Sequence, residues 1–230
     1  MPTIPFLDDC LNEIANRTAA GGRCAVTFDI DNTLVDTRGR ALAVGALFDA
    51  RYATTWFQGK SPTDVGNDAK ETATLLALPE AEAALLKKFW FRYFLKGKYY
   101  EHDLPIAPTI ALANDASAAG AHVHYVTART QSEAAFTLAE LARVGLPVLE
   151  PSFVVHKAHL KGDSTAVYKT NELRRIAAAY DYVPWFLTES RADLRGIQKL
   201  GPPVQTVLLH TRFSGNATID PATPIWSLDL

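Results

Sequence analysis

A chain of 230 residues, 48% of them hydrophobic and 21% charged, is long enough for one α/β core with a modest inserted unit. Its formal net charge of -2 leaves no basic excess for nucleic acid and no polybasic tract for a membrane surface. Cys10 and Cys24 are too few for a disulfide framework, no apolar run reaches bilayer-spanning length, and no cationic-then-apolar leader opens the chain. The expectation is therefore a soluble, cytoplasmic protein; oligomeric state is not legible.

Residues 6–20 carry Phe6, Leu7, Cys10, Leu11, Ile14 and Ala15 at helical spacing, and Gly21-Gly22 ends that helix. Next comes Cys24-Ala25-Val26-Thr27-Phe28, an apolar run rich in strand formers, which reads as a buried strand of a parallel sheet. It breaks into Asp29-Ile30-Asp31-Asn32-Thr33. Ligands of open α/β sheets bind just beyond the carboxyl ends of such strands. Two carboxylates on alternate residues repel unless a hard cation, or a proton on one of them, offsets the repulsion. An ionised Asp can act as nucleophile and a protonated one as general acid, so Asp29 and Asp31 could divide those roles. The plainer alternative is an Asp-rich turn with helix-capping residues.

The segment Phe28-Asp29-Ile30-Asp31-Asn32-Thr33-Leu34-Val35-Asp36 resembles the first motif of the haloacid dehalogenase superfamily of phosphohydrolases, a strand ending in D-x-D-x-T/V. That resemblance implies a three-layer Rossmann-like α/β core built on a parallel sheet, with an inserted all-α cap. It places the core at 1–36 and 104–230 and a type-one helical cap at 37–103.

Along 37–103 the pattern turns helical. Residues 38–52 carry Leu42, Leu47 and Phe48 among alanines, Ser61-Pro62-Thr63-Asp64 is a helix-start signature, and 80–95 is a longer helix with Leu85, Leu86, Phe89, Trp90 and Phe94. Arg51, Trp56, Lys60, Trp90, Arg92, Lys96, Lys98, Tyr99, Tyr100 and His102 are cations and aromatics that could hold a phosphorylated substrate. Aromatics at helical spacing read as core and charge runs as solvated faces, so none is assigned to substrate.

Residues 105–119 read as a helix ended by Gly120, and His122-Val123-His124-Tyr125-Val126-Thr127 as a strand. His122 and His124 share one face of it, where packing is the plainer role. Arg129 beyond it could face a phosphate or cap the next helix, 131–144. Phe153-Val154-Val155 is a short strand, and His156 and His159 flank Lys157 in no recognised metal spacing. Lys157, Lys161 and Lys169 are candidates for a phosphate-binding lysine; Lys169, read as opening an amphipathic helix through Leu173 and Ile176, is preferred. Gly162-Asp163-Ser164 is read as loop. Tyr182-Val183-Pro184-Trp185-Phe186-Leu187 is the next strand, followed by Glu189 and Asp193, and 205–209 is the last clear strand before a tail that should wrap the surface.

The resemblance implies Mg²⁺-dependent hydrolysis of a small-molecule phosphomonoester. Asp29 would attack phosphorus and form an aspartyl-phosphate, while Asp31 would serve as acid and then base. Mg²⁺ would be held by Asp29, the Asp31 main chain, and Glu189 or Asp193. Thr127, Lys169 and the N–H groups of Ile30 and Asn32 would hold the phosphoryl oxygens. Glu189 stands where the family pattern G-D-x-x-x-D has Asp. The dehalogenase branch lacks an acid at the position of Asp31. Transfer to a second acceptor (phosphotransferase or mutase), or phosphate binding without turnover, are the alternatives. A dinucleotide binder is disfavoured because no G-x-G-x-x-G follows the first strand.

Overall fold

The computed structural model describes residues 4–148, 153–157, 162–211 and 214–229; His159 and Lys161 lie outside the described residues. Strands β1 (Ala25–Phe28), β4 (His122–Thr130), β5 (Phe153–Lys157), β6 (Trp185–Thr188), β7 (Gln205–His210) and β8 (Ile225–Ser227) form one six-stranded sheet in the order β5-β4-β1-β6-β7-β8. Every pairing in it is parallel. Helices α1 (Pro5–Ala19), α5 (Ala107–Ala118), α6 (Ala134–Arg143), α7 (Thr165–Ala179) and α8 (Arg191–Lys199) accompany it, as parallel strands require crossover connections.

The pleat sorts the strand side chains onto two faces. Val26, Phe28, Val123, Tyr125, Trp185 and Leu187 join one apolar cluster with Leu7 and Ile14 of α1 and Leu112 and Ala116 of α5. Ala25, Val126 and Phe186 point the other way, onto Leu173 and Ile176 of α7 and Ile197 of α8. Because β1 is central and both its faces are covered, its run is apolar without alternation, the pattern from which a buried parallel strand was inferred.

A two-stranded antiparallel ribbon, β2 (Val35–Asp36) with β3 (Leu104–Pro105), stands where the chain leaves the core and returns to it. Between these strands run α2 (Arg38–Tyr52), α3 (Ala69–Leu75) and α4 (Glu80–Tyr93), with short 3-10 turns at Pro62–Asp64 and Gly97–His102. These helices bury their own cluster of Val44, Phe48, Phe57, Leu86, Phe89 and Trp90, separate from the sheet's. Phe48 and Phe89 meet edge to face at 5.5 Å, and Trp90 stacks on Phe94 at 4.5 Å.

Several local expectations are corrected. Ser61-Pro62-Thr63-Asp64 does close a capping box, but the helix it starts is a single 3-10 turn. The C-terminal tail adds parallel strand β8 to the sheet edge, burying Trp226, instead of only wrapping the surface. Helix α7 begins at Thr165 with Ser164 as its N-cap, so Lys169 sits in the second turn and Gly162-Asp163-Ser164 leads into the helix. The charge of a helix end falls off within its first turn, so the dipole gives Lys169 little.

Gly45 lies inside α2 because the Phe57 ring occupies the space a Cβ would take. Gly45→Val should cost about 1–3 kcal/mol through overpacking. Urea unfolding measures this; an unchanged midpoint would show that Phe57 swings away freely.

Candidate functional site

Strand β1 ends at Phe28, and its register with β4 and β6 carries Asp29 to the carboxyl edge of the sheet, where the strand order reverses around β1. The Asp29 N–H still donates to the Leu187 carbonyl at 2.9 Å, so its backbone is fixed by the sheet. Beyond it the chain coils tightly: the N–H groups of Thr33, Leu34 and Val35 all converge on the Ile30 carbonyl. Asn32 adopts the left-handed conformation (φ 58°) that Asn tolerates better than most residues. Thr33 is buried in this coil and its hydroxyl accepts from the Glu189 N–H at 3.0 Å, tying the coil to the end of β6.

Asp29 is 6% exposed. Its Oδ2 accepts from Lys169 Nζ at 2.6 Å and from the Thr188 hydroxyl at 3.0 Å, and its Oδ1 accepts from the Ile30 N–H at 2.9 Å. Burial pushes the Asp29 carboxyl upward, and Lys169 opposes that push. Lys169 is 2% exposed and also donates to Asp193 Oδ2 at 2.9 Å. Burial alone would lower its ammonium; the carboxylates of Asp29 and Asp193 outweigh burial and hold it above the usual lysine range. The structure thus brings Asp29, Lys169 and Asp193 together.

Asp31 is placed differently from the expectation of a free acid. Its Oδ1 accepts from Arg40 Nη2 and Arg129 Nη2, both at 2.8 Å, and its Oδ2 accepts from Arg129 Nε at 3.2 Å. Desolvation pushes this carboxyl up, but the guanidinium groups of Arg129 and Arg40 prevail and hold it well below the usual range. A third of the side chain remains exposed. A proton-carrying role therefore requires exchanging these contacts for a substrate oxygen. Arg129 neither caps a helix nor projects freely: the β4–β5 register shifts between Thr127 and Thr130, and the irregularity aims Arg129 at Asp31, Asp103 and Glu140. Arg40 of α2 also pairs with Asp103, and both guanidinium groups lie over the Tyr100 ring, at 4.2 Å for Arg40 and 3.9 Å for Arg129. Sequence reading missed Arg40, Asp103 and Glu140, for which spacing offers no signal.

The other assigned groups divide. Thr127 is buried, and its hydroxyl accepts from the Arg129 N–H at 3.2 Å. The Asn32 N–H donates to the Val35 carbonyl at 2.7 Å and the Ile30 N–H to Asp29, so neither main-chain donor is free in this arrangement. His122 and His124 both bond the Tyr180 hydroxyl and serve packing. Lys157 lies apart from Asp29; its Nζ donates to the Asp163 carbonyl at 2.6 Å.

Among the described residues, no three His, Cys, Asp or Glu side chains gather as a metal cluster. Asp29 and Asp193 each give one oxygen to Lys169 and Asp31 is held by two arginines, whereas Glu189 forms no ion pair among the described residues and is the carboxylate best suited to a hard cation beside Asp29. Glu189 is 7% exposed and its Oε1 has no hydrogen-bond partner. Burial, with Asp29 adding its charge and the Ser214 hydroxyl pulling the other way, pushes its carboxyl up to about 7. A buried, unpartnered carboxylate oxygen beside a second carboxylate is what a divalent cation would satisfy. The fit supports Glu189 over Asp193.

No family model matches the sequence, and no curated protein does. Solved structures do. A hydrolase of the haloacid dehalogenase-like family from Streptococcus pneumoniae superposes with a TM-score of 0.54 at 13% identity, covering 82% of this chain and 85% of that one. The protein tyrosine kinase A of Mycobacterium tuberculosis gives 0.57 at 17% identity, covering 89% and 93%. A predicted phosphoglycolate phosphatase from Haemophilus somnus gives 0.52 at 15%, covering 88% and 93%. The chain has the haloacid dehalogenase-like fold.

The raised Glu189 carboxyl has a measurable consequence. Unfolded, it ionises near 4.5; folded, it keeps its proton until about 7. Across that window the native state holds more protons than the unfolded one, so this group's contribution to stability falls as pH rises. Without divalent cation, the stability of Glu189→Gln relative to wild type should rise by ~3 kcal/mol between pH 4 and 8. Denaturant titrations at several pH values check this; a gap independent of pH would contradict it.

Proposed function

We propose that this protein is a phosphohydrolase of the haloacid dehalogenase superfamily that uses Asp29 as nucleophile on a small phosphomonoester. The observation that carries the reading is Asp29 itself, buried at the carboxyl end of the central strand with Lys169 at 2.6 Å. Lys169 and Thr188 hold Oδ2, so Oδ1, with one main-chain donor, has the freer lone pairs for in-line attack on phosphorus. The bond to the leaving oxygen breaks and its electron pair departs with that oxygen. Water then attacks the aspartyl-phosphate, and Asp29 regains its carboxylate.

As charge moves from Asp29 to the phosphoryl oxygens, the Lys169 ammonium can follow it, since it is already buried and close. Asp193 keeps that ammonium aimed. Thr127, on the neighbouring strand at the same end of the sheet, accepts from the Arg129 N–H and so keeps its O–H donor for a phosphoryl oxygen. Asp31, partly open beside Asp29, is placed to handle the leaving-group proton after its arginine contacts are exchanged. Mg²⁺, held by Asp29 and Glu189 with the Asp31 main-chain carbonyl, would supply Lewis-acid neutralisation of the phosphoryl oxygens when bound.

Transfer to a second acceptor is the second reading. It is supported by the likeness to a protein named as a tyrosine kinase.

Inorganic phosphate release from a panel of phosphomonoesters, with and without Mg²⁺, tests the reading. Release should depend on Mg²⁺ and fall on the order of a thousandfold or more in Asp29→Asn. Activity surviving intact in that variant would remove Asp29 from the chemistry. Phosphate appearing on an added alcohol instead of in solution would favour the transferase.

A further inference from the structure

Beside Asp31 lies a cavity of about 260 Å³ that the reaction described above does not use. Its wall joins Arg129 and Lys157, at the ends of β4 and β5, to Arg92, Lys96 and Tyr100 of the helical insertion, with Thr165 at its foot. A more open hollow shares Arg92 and Lys96 but touches none of Asp29, Asp31 and Lys169.

The charges of this cavity do not balance internally. Of its two carboxylates, Asp31 is held by Arg40 and Arg129, while Glu133 accepts from the Gly97 N–H at 2.6 Å and keeps its charge, so the cations Arg92, Lys96, Arg129 and Lys157 outnumber the carboxylates. Arg129 spends its donors on Asp31 and Glu140 and contributes only its field. Arg92 and Lys96 form no ion pair among the described residues; Arg92 only leans toward the Tyr93 ring. Lys157 is 9% exposed, and its one bond among the described residues, to the Asp163 carbonyl, leaves two ammonium donors for the cavity. Thr165 is the first residue of the 15-residue helix α7, whose positive end therefore opens on the same space. A largely buried ammonium facing a polar cavity, without a carboxylate partner, is costly unless an anion joins it.

We propose that this cavity is a subsite for a second anionic group of the substrate, a carboxylate or a second phosphate. The preferred substrates are then small phosphomonoesters that carry another anion a short distance from the phosphoryl group. This inference rests on the phosphohydrolase reading. Lys157 and Arg92 would anchor the anion from opposite walls, one on the sheet and one on the insertion. The substrate would thus help hold the insertion against the core.

The test compares kcat/KM on four probes: 3-phosphoglycerate and fructose 1,6-bisphosphate, which carry the second anion, and glycerol 1-phosphate and phenyl phosphate, which do not. Wild type should prefer at least one of the first pair, and which one distinguishes a carboxylate from a phosphate. Arg92→Gln and Lys157→Gln should each lower the ratio between the two pairs by about tenfold or more, chiefly through KM. Lys157 is buried and its variant could unfold; Arg92 is exposed, so its variant keeps the test open. A wild-type enzyme that turns over both pairs equally, or variants that lower both pairs by one factor, would overturn the subsite alone. No turnover of any probe, with no phosphoryl group on Asp29, would overturn the phosphohydrolase reading, and the subsite with it.

Discussion

The ion pair between Asp29 and Lys169 is the contact on which the rest of the site depends. Both groups are nearly out of water, and each alone would pay several kcal/mol to stay charged there. Together, with Thr188, Asp193 and the Ile30 N–H closing the remaining hydrogen bonds, they hold a carboxylate and an ammonium at 2.6 Å. A buried pair of this kind is weak evidence for stability, because an apolar pair would do as well. Its value is that an anion is held ready where a phosphoryl group would arrive, with the compensating cation already in place.

A second ionic cluster joins the helical insertion to the core. Arg40 from α2 and Arg129 from the end of β4 share Asp31 and Asp103 over the face of Tyr100, and Glu140 from α6 pairs with Arg129. Everything that passes between sheet and insertion at this point passes through these charges. Asp31 belongs to both clusters at once: it follows Asp29 by two residues and is gripped by residues from either side. Arg40 is thus the contact by which α2 of the insertion holds Asp31 of the core.

Much of this was legible in the sequence because it is written in local pattern. The apolar run before Asp29 is a buried strand and Leu173 and Ile176 lie on a helix as their spacing said, and Glu189 and Asp193 do follow β6. Of the described candidate lysines, Lys169 and not Lys157 pairs with Asp29, and its place in the second turn of α7 moves the cause from the helix dipole to direct ion pairing. Strand β8 was missed because three residues at a sheet edge, in a Pro- and Thr-rich tail, carry no periodicity. Arg40, Asp103 and Glu140 were missed because a buried charge is defined by its partner, and these partners lie from 9 to 98 positions away. Arg92 and Lys96 were among the insertion's candidate substrate contacts but were left unassigned, because in sequence they look like ordinary solvated cations; the fold sets them beside Asp31.

The central claim is that Asp29 takes the phosphoryl group. Quenching the protein in acid during turnover with Mg²⁺ and an active phosphomonoester, then mapping peptides by mass, tests it directly. The account predicts one added phosphoryl group on the peptide containing Asp29, absent from Asp29→Asn and lost on mild alkaline or hydroxylamine treatment, as an acyl phosphate must be. Turnover with no phosphoryl group trapped on Asp29, or with the group found on another residue, would contradict it.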